Sequence, residues 1–199
     1  MLCKKCGAFL ASEGSPVEVS PVEVSCHKCD DHHYDKAAAL GVYEKGLAAS
    51  VLELKNVPHL AERVRTFLEA ASATPLFDGI DLLIPVPLSR LRMHERGYNQ
   101  ADLIADAISR INGIPTDKLS LARKVHTQMH RVGMDQKARE LTTRNAFELK
   151  RPKLIAGKNV MLIDDVLTSG ATASQAAKVL KKNGAVRVNV FTLARAVLR

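Results

Sequence analysis

Two adjacent carboxylates, Asp164 and Asp165, follow an apolar run at 160–163 and precede a loop of small and hydroxyl-bearing residues. The loop consists of Thr168, Ser169, Gly170, Ala171 and Thr172. Backbone N–H groups of such a loop, at the start of a helix, bind anions. In α/β sheets, ligands bind outside the carboxyl ends of the strands. The pattern therefore predicts a phosphate site beside carboxylates that accept hydrogen bonds from vicinal hydroxyls, which fits a ribose 5-phosphate.

Four cysteines form the second chemical group of the chain: Cys3 and Cys6, then Cys26 and Cys29. Two C-x2-C pairs at this spacing are typical of a four-thiolate Zn²⁺ site. With four thiolates the coordination is complete, which predicts a structural metal rather than a catalytic one. Disulfides are the alternative, and His27, His32 and His33 are nearby substitutes as ligands.

A basic segment follows Pro85-Val-Pro87 and contains Ser89, Arg90, Arg92 and Arg96. We expect it to be a loop that emerges at the same sheet edge as the acidic pair, facing it across a cleft. Ser89, Arg90 and Arg96 are then candidates to hold a pyrophosphate. The alternative is a solvated basic loop that holds no ligand.

The remaining pattern supplies the elements that position these groups. Apolar runs predict strands at 37–43, 81–87, 160–163 and 186–193. Helical periodicity predicts helices at 47–54, 60–71, 101–108 and 173–180. Phe67 is expected on the inner face of the second helix. Asn99 is the expected N-cap of the third helix, and Gly184 is expected to end the fourth. Alternating strands and helices predict an α/β fold with a parallel sheet flanked by helices.

Residues 118–151 hold nine Lys or Arg and three acidic residues, with weak periodicity. We expect a basic hairpin or loop, with a strand near 120–123. Long loops in compact domains are usually functional or disordered. A lid that excludes water from a reactive intermediate is the functional interpretation, and a solvated segment is the alternative.

Composition and charge bound the class of protein. The chain has 199 residues and a net charge of +8, whereas residues 1–36 carry four lysines and six acidic residues. We expect a small zinc-ribbon-like module at 1–36 and a basic main domain at 37–199, whose charge suits a polyanionic ligand. The chain lacks both a secretory apolar region and a run long enough to span a bilayer, so we expect a cytoplasmic protein without a membrane span. A homodimer is one possible oligomeric state of the protein.

The segment from the strand through the acidic pair to the hydroxyl–glycine loop resembles the signature of type I phosphoribosyltransferases, which bind phosphoribosyl pyrophosphate (PRPP). The whole chain is similar to the ComF (competence protein F) or amidophosphoribosyltransferase-like family. The likeness rests on the paired C-x2-C head, Pro85-Val-Pro-Leu88, Glu95-Arg-Gly-Tyr-Asn-Gln-Ala101, Arg123-x4-Gln128, Arg144-Asn-Ala-Phe147 and the signature loop.

The resemblance implies a PRPP site in which Asp164 and Asp165 hold the ribose hydroxyls and Mg²⁺. It also implies nucleotide chemistry that releases pyrophosphate, in a context of competence and DNA transformation. Thr168 stands where some purine enzymes of this fold have an acidic residue, which leaves the acceptor open. Two other functions remain open: a non-enzymatic factor that binds single-stranded DNA, and a regulator that senses PRPP.

Overall fold

The computed structural model describes residues 3–7, 26–124 and 146–196. Its main sheet has four parallel strands in the order β1-β6-β5-β2. These strands are β1 (Lys36–Val42), β2 (Leu82–Pro85), β5 (Asn159–Leu167) and β6 (Arg187–Arg195). The carboxyl ends of all four strands therefore lie at one edge of the sheet.

Within the described ranges, five helices connect these strands: α1 (Lys45–Leu54), α2 (Glu62–Ser72), α3 (Arg90–Arg96), α4 (Gln100–Asn112) and α5 (Ala171–Lys182). A separate antiparallel pair is formed by β3 (Leu121–Arg123) and β4 (Phe147–Leu149). Among the residues described, this arrangement confirms the predicted α/β fold with a parallel sheet flanked by helices.

The central strands are apolar because both faces of the sheet are covered. In β5, Val160 and Leu162 pack into the core beside α5, whereas Met161 and Ile163 pack into the core beside α1, α2 and α4. This alternation places the sheet between two layers of helices and fixes its register.

Three predictions of local structure were wrong. The signature strand does not stop at Ile163 but continues through both carboxylates to Leu167, because β6 pairs with it along this length. The basic segment is a helix, α3, because the Ser89 side chain caps it and Gly97 ends it at φ +75°. Phe67 is 47% exposed and is not on the inner face of α2.

Other local predictions are confirmed. The side chain of Asn99 accepts a hydrogen bond from the amide of Ala101 and caps α4. Gly184 has φ +90° and follows the last residues of α5. The strand near 120–123 is β3, which pairs antiparallel with β4. Most of the predicted lid, and the repeated Pro-Val-Glu-Val-Ser segment at 16–25, lie outside the described residues.

Candidate functional site

The four cysteines meet at one point, as the spacing predicts. All four are free thiols, and their Sγ atoms lie within 4.8 Å of one another. The Sγ atoms of Cys3 and Cys29 are 3.5 Å apart, and those of Cys6 and Cys26 are 3.4 Å apart. A tetrahedral Zn²⁺ with bonds of about 2.3 Å separates its sulfur ligands by roughly 3.8 Å. The cluster therefore fits a four-coordinate metal ion.

Local hydrogen bonds already favour a thiolate in this cluster. Burial raises the pKa of Cys3, but backbone amides, including that of Cys26 at 3.2 Å, outweigh burial and lower it to about 6. Burial and the neighbouring sulfur atoms raise the pKa of Cys29 instead. Crowded thiols of unequal acidity are stabilised when a cation replaces their protons.

The carboxylate pair lies in the second half of β5, toward the carboxyl edge of the sheet. Asp164 Oδ1 accepts the amide of Asp165 at 2.9 Å, and Asp165 Oδ1 accepts the amide of Val166 at 2.7 Å. Both side chains are partly buried. These local bonds hold the two carboxyl groups near the end of the strand and use the Oδ1 atom of each.

Asp164 carries the most perturbed carboxyl group of the site. Burial, with repulsion from Asp165, raises its pKa to about 8, and Arg123 opposes this rise. A nearby cation stabilises the ionised form of such a carboxyl group. The pair therefore offers carboxylate oxygens and concentrated negative charge, and both suit Mg²⁺.

Lys55 is a site residue that sequence reasoning missed. It follows α1 directly, and its Nζ atom lies 3.5 Å from Asp165 Oδ2. The hydroxyl of Tyr98 donates to the carbonyl of Leu54 at 2.7 Å, which ties the end of α1 to the turn between α3 and α4. The local sequence around Lys55 carries no signal of this long-range contact.

The predicted phosphate loop connects β5 to α5 with one side open to solvent. Thr168, Ser169 and Ala171 are exposed, and Thr172 is partly buried. Gly170 has φ +81° and serves as the residue before the helix. This left-handed conformation favours glycine, and it turns the chain so that α5 begins directly behind the loop.

The buried side of the loop contacts the segment that follows the second cysteine pair. A Cβ on Gly170 would lie 2.7 Å from His32 Cε1 and 2.8 Å from the Tyr34 hydroxyl. The amide of His33 donates to the Ser174 hydroxyl at 3.1 Å. The cysteine-bearing segment and the loop are therefore in direct contact, which local sequence patterns do not reveal.

The basic segment emerges beside the acidic pair, because Pro85 of β2 pairs with Ile163 of β5. Ser89 is 3% exposed, and its hydroxyl accepts the amide of Arg92 at 3.3 Å. Arg90 is exposed, and Arg96 donates to the Gln100 side chain at 2.9 Å.

Two further arginines, which sequence reasoning did not assign to the site, belong to this edge. Burial lowers the pKa of Arg123, repulsion from Arg92 adds to this effect, and attraction to Asp164 opposes it. The guanidinium of Arg123 also lies 5.4 Å from the centre of the Phe147 ring. The carboxylate edge therefore combines two acidic and several basic groups.

Comparison with known proteins places the chain in a family. Competence protein F of Haemophilus influenzae is 33% identical over 180 residues, which cover 86% of this chain and 78% of that protein. DNA utilization protein YhgH of Salmonella typhimurium is 28% identical over 98% of this chain and 84% of that protein. Competence protein ComFC of Bacillus subtilis is 36% identical, over 57% of this chain and 44% of that protein. The chain belongs to the competence protein F family.

Two solved structures give weaker likenesses. The glutamine PRPP amidotransferase from B. subtilis, complexed with ADP and GMP, matches with a TM-score of 0.41 and 23% identity, over 64% of this chain and a quarter (25%) of that one. The purine phosphoribosyltransferase from Pyrococcus horikoshii matches with a TM-score of 0.36 and 16% identity, over 78% and 88%. No family model matches the chain.

The described helices fall short of the combined length and hydropathy that a membrane-spanning helix needs. Within residues 3–7, 26–124 and 146–196, each helix is too short or too polar to cross a bilayer.

Proposed function

We propose that this protein binds PRPP and transfers or hydrolyses its phosphoribosyl group with release of pyrophosphate. One observation carries the proposal. The carboxylates of Asp164 and Asp165 lie on the same strand that leads, through a loop with Gly170 at φ +81°, into the N-terminus of the 12-residue helix α5. This arrangement supports a phosphate on the loop and ribose hydroxyls on the carboxylates.

The 5-phosphate would contact the backbone N–H groups and hydroxyls of Thr168, Ser169, Gly170, Ala171 and Thr172. Thr168 and Ser169 are exposed and can meet a ligand without rearrangement of the core. The positive end of the α5 dipole would add to the attraction for the phosphate.

Asp164 and Asp165 would accept hydrogen bonds from the ribose hydroxyls and hold Mg²⁺ directly or through water. The raised pKa of Asp164, caused by burial and by Asp165, supports this role, because a bound cation removes the repulsion. When bound, Mg²⁺ would supply positive charge to the pyrophosphate oxygens.

Ser89, Arg90 and Arg96 remain our candidates for the pyrophosphate side of the site. They follow β2, whose carboxyl end is adjacent to that of β5. Because the Ser89 hydroxyl already caps α3, Ser89 would act by fixing the start of this helix. Arg123 adds positive charge near Asp164, and Arg92 of α3 lies near Arg123.

In the proposed reaction, the bond from ribose C1 to the pyrophosphate oxygen breaks, and its electron pair leaves with pyrophosphate. A nucleophile, either water or the nitrogen of a base or amine, forms the new bond to C1 and loses a proton to solvent or to a neighbouring base. The carboxylates would stabilise the positive charge that develops at C1.

For the N-terminal segment we propose a structural Zn²⁺ held by Cys3, Cys6, Cys26 and Cys29, whose sulfur atoms lie within 4.8 Å of one another. We also propose the division into a module at 1–36 and a phosphoribosyltransferase-like domain at 37–199. Four thiolates leave no open coordination position, so the reaction would take place without this ion.

Calorimetric titration with PRPP, with and without Mg²⁺, tests the proposal. We expect Mg²⁺-dependent binding that the double variant Asp164→Asn/Asp165→Asn loses, together with PRPP-dependent thermal stabilisation. A ligand at one hundred times its Kd stabilises the folded state by about 2.7 kcal/mol.

The matched control is Asp78→Asn/Asp81→Asn, which removes the same charge at the opposite end of the sheet, where Asp81 accepts the Asn159 amide. This control is expected to bind PRPP like the wild type. Equal stabilisation by PRPP in both double variants would refute the site assignment.

Binding of single-stranded DNA is the second candidate function. The names of the relatives, competence protein and DNA utilization protein, favour it, as does the net charge of +8. DNA affinity that falls steeply with salt would indicate phosphate contacts. Such affinity in a protein that does not bind PRPP would favour this function over transfer.

A further inference from the structure

A buried arginine connects the four-cysteine cluster to the main domain. Arg195 is the last residue of β6 and is only 7% exposed. Its Nη2 atom lies 3.6 Å from Cys6 Sγ. Its Nε and Nη1 atoms are buried and have no hydrogen-bond acceptor within the described part of the chain. A buried guanidinium with so few acceptors needs a nearby negative charge.

The cysteine cluster would supply that charge when it holds a metal ion. A divalent ion bound by four thiolates leaves a net charge of −2 on the centre. Such a centre beside Arg195 compensates the buried cation, and Arg195 in turn compensates the centre. Outer hydrogen bonds of this kind orient metal ligands and tune the affinity of the site.

Contacts continue from Arg195 to the phosphate loop. Tyr34 is 1% exposed; burial raises the pKa of its hydroxyl, and the nearby Arg195 opposes that rise. The same hydroxyl lies 2.6 Å from His32 Nδ1. Both rings fill the space that a Cβ on Gly170 would occupy. A continuous path of side chains therefore runs from Cys6 to Gly170.

The backbone between the cysteines and β1 is fixed at both of its ends. Lys5 donates from Nζ to the carbonyl of His32 at 2.8 Å, and its own carbonyl accepts the amide of Ala37 at 2.7 Å. Farther along, Asp35 pairs with Lys181 near the end of α5 at 2.6 Å. His32 and Tyr34 are therefore held against the loop by the folded cysteine cluster on one side and by α5 on the other.

We propose that Arg195, Tyr34 and His32 are positioning residues that make the order of the phosphate loop depend on the metal–thiolate centre. Without the metal ion the four sulfur atoms would no longer be held in one coordination centre, so Arg195 would lose its fixed partner Cys6, and the Tyr34–His32 pair would lose its fixed place behind Gly170. The inference rests on the proposed function only where it concerns phosphate binding. Its structural part concerns loop order alone.

Hydrogen–deuterium exchange of the amides at 168–174 tests the structural part without any ligand. The proteins are the metal-loaded wild type, the wild type treated with a chelator, and metal-loaded Arg195→Met, Tyr34→Phe and His32→Ala. We expect loop exchange about tenfold faster in the chelated protein and in all three variants. Amides of α4 (100–112) are expected to exchange at the wild-type rate, which shows that the fold persists.

Three controls separate positioning from general damage. Lys118→Met breaks the ion pair with Asp106 of α4, on the other face of the sheet from α5, and is expected to leave loop exchange unchanged. Arg195→Lys keeps the positive charge and is expected to restore part of the protection lost in Arg195→Met. The charge-transfer absorption of a Co²⁺-substituted sample verifies that Tyr34→Phe retains the four-thiolate centre.

Unchanged loop exchange in metal-loaded Arg195→Met and Tyr34→Phe would overturn the inference. PRPP titration of the same samples extends the test. We expect about tenfold weaker binding wherever the loop exchanges faster. Failure of the metal-loaded wild type to bind PRPP would refute the proposed function, whereas the exchange rates would still decide the inference.

Discussion

The ammonium group of Lys55 lies 3.5 Å from the carboxylate of Asp165, although α1 and β5 are more than a hundred residues apart in the sequence. Lys55 is 30% exposed and Asp165 is 19% exposed at their side chains. The lysine therefore offsets part of the negative charge of the carboxylate pair, and a metal ion that binds there must compete with it.

Replacement of Lys55 by Met is expected to increase Mg²⁺ affinity by about threefold, because the competing cation is gone. The free energy of unfolding should change by less than about 1 kcal/mol, as is usual for partly exposed ion pairs. Calorimetric Mg²⁺ titration measures the first effect. Lys158→Met, which removes an exposed cation beside the amino end of β5, is the control. Equal Mg²⁺ affinity in both variants would contradict the prediction.

The raised pKa of Asp164 predicts how the free energy of unfolding depends on pH. Its pKa is raised to about 8 by burial and by Asp165, so the folded state holds the proton more tightly than the unfolded chain does. Its contribution to stability should therefore fall as pH rises from about 4 to about 8, by at most about 1.4 kcal/mol per pH unit, and level off above that range.

Urea unfolding of wild type and Asp164→Asn between pH 5 and pH 9, without added Mg²⁺, measures this contribution. The difference between the two proteins isolates Asp164. His32 and His33, whose pKa values are lowered by burial, make both proteins more stable as pH rises toward about 6.5 and add no slope above it. Parallel pH profiles of the two proteins would show that Asp164 does not hold its proton in this range.

Sequence patterns predicted the parts of the fold that depend on local chemistry. The apolar runs of the strands and the cap at Asn99 can be read from neighbouring residues. Features that depend on tertiary contacts could not be predicted in this way. β5 continues through two carboxylates because β6 offers hydrogen bonds along its length, and α3 is too short to show a clear period.

The residues of the candidate site also fall into those that local sequence patterns identify and those that only tertiary contacts identify. The carboxylate pair, the loop and the cysteines were identified by spacing. Lys55 and His32 were not, because each meets its partner from a distant element of the chain. Positive charge near Asp164 was expected from the segment after β2; Arg123 of β3, which was not assigned to the site, also lowers the pKa of Asp164.

The hydroxyl of Tyr98 provides a test of how Lys55 is held in place. Its hydrogen bond of 2.7 Å to the Leu54 carbonyl fixes the end of α1, immediately before Lys55. Tyr98→Phe is expected to lower the free energy of unfolding by about 1 kcal/mol. It should also raise Mg²⁺ affinity in the direction of Lys55→Met. Tyr43→Phe, at the end of β1, controls for loss of a phenol. Equal destabilisation by both variants would contradict a specific role for Tyr98.

Gly170 offers a test of the contact between the loop and the cysteine-bearing segment. Gly170→Ala adds a methyl group that would lie 2.7 Å from His32 Cε1, in a backbone conformation of φ +81°. Backbone strain and this clash together are expected to cost about 2–3 kcal/mol of stability. Gly97→Ala is the matched control, since φ is +75° there and no heavy atom lies within 4 Å of the added Cβ. It should cost about 1–2 kcal/mol from strain alone.

Urea unfolding gives both values, and the difference between them reports how tightly His32 packs against the loop. A Gly170→Ala/His32→Ala double variant should recover part of that difference, because the His32 ring is then absent while the Tyr34 hydroxyl remains 2.8 Å from the added methyl group. Equal losses at Gly170 and Gly97 would mean that His32 moves freely aside, and the loop would then be independent of the segment behind it.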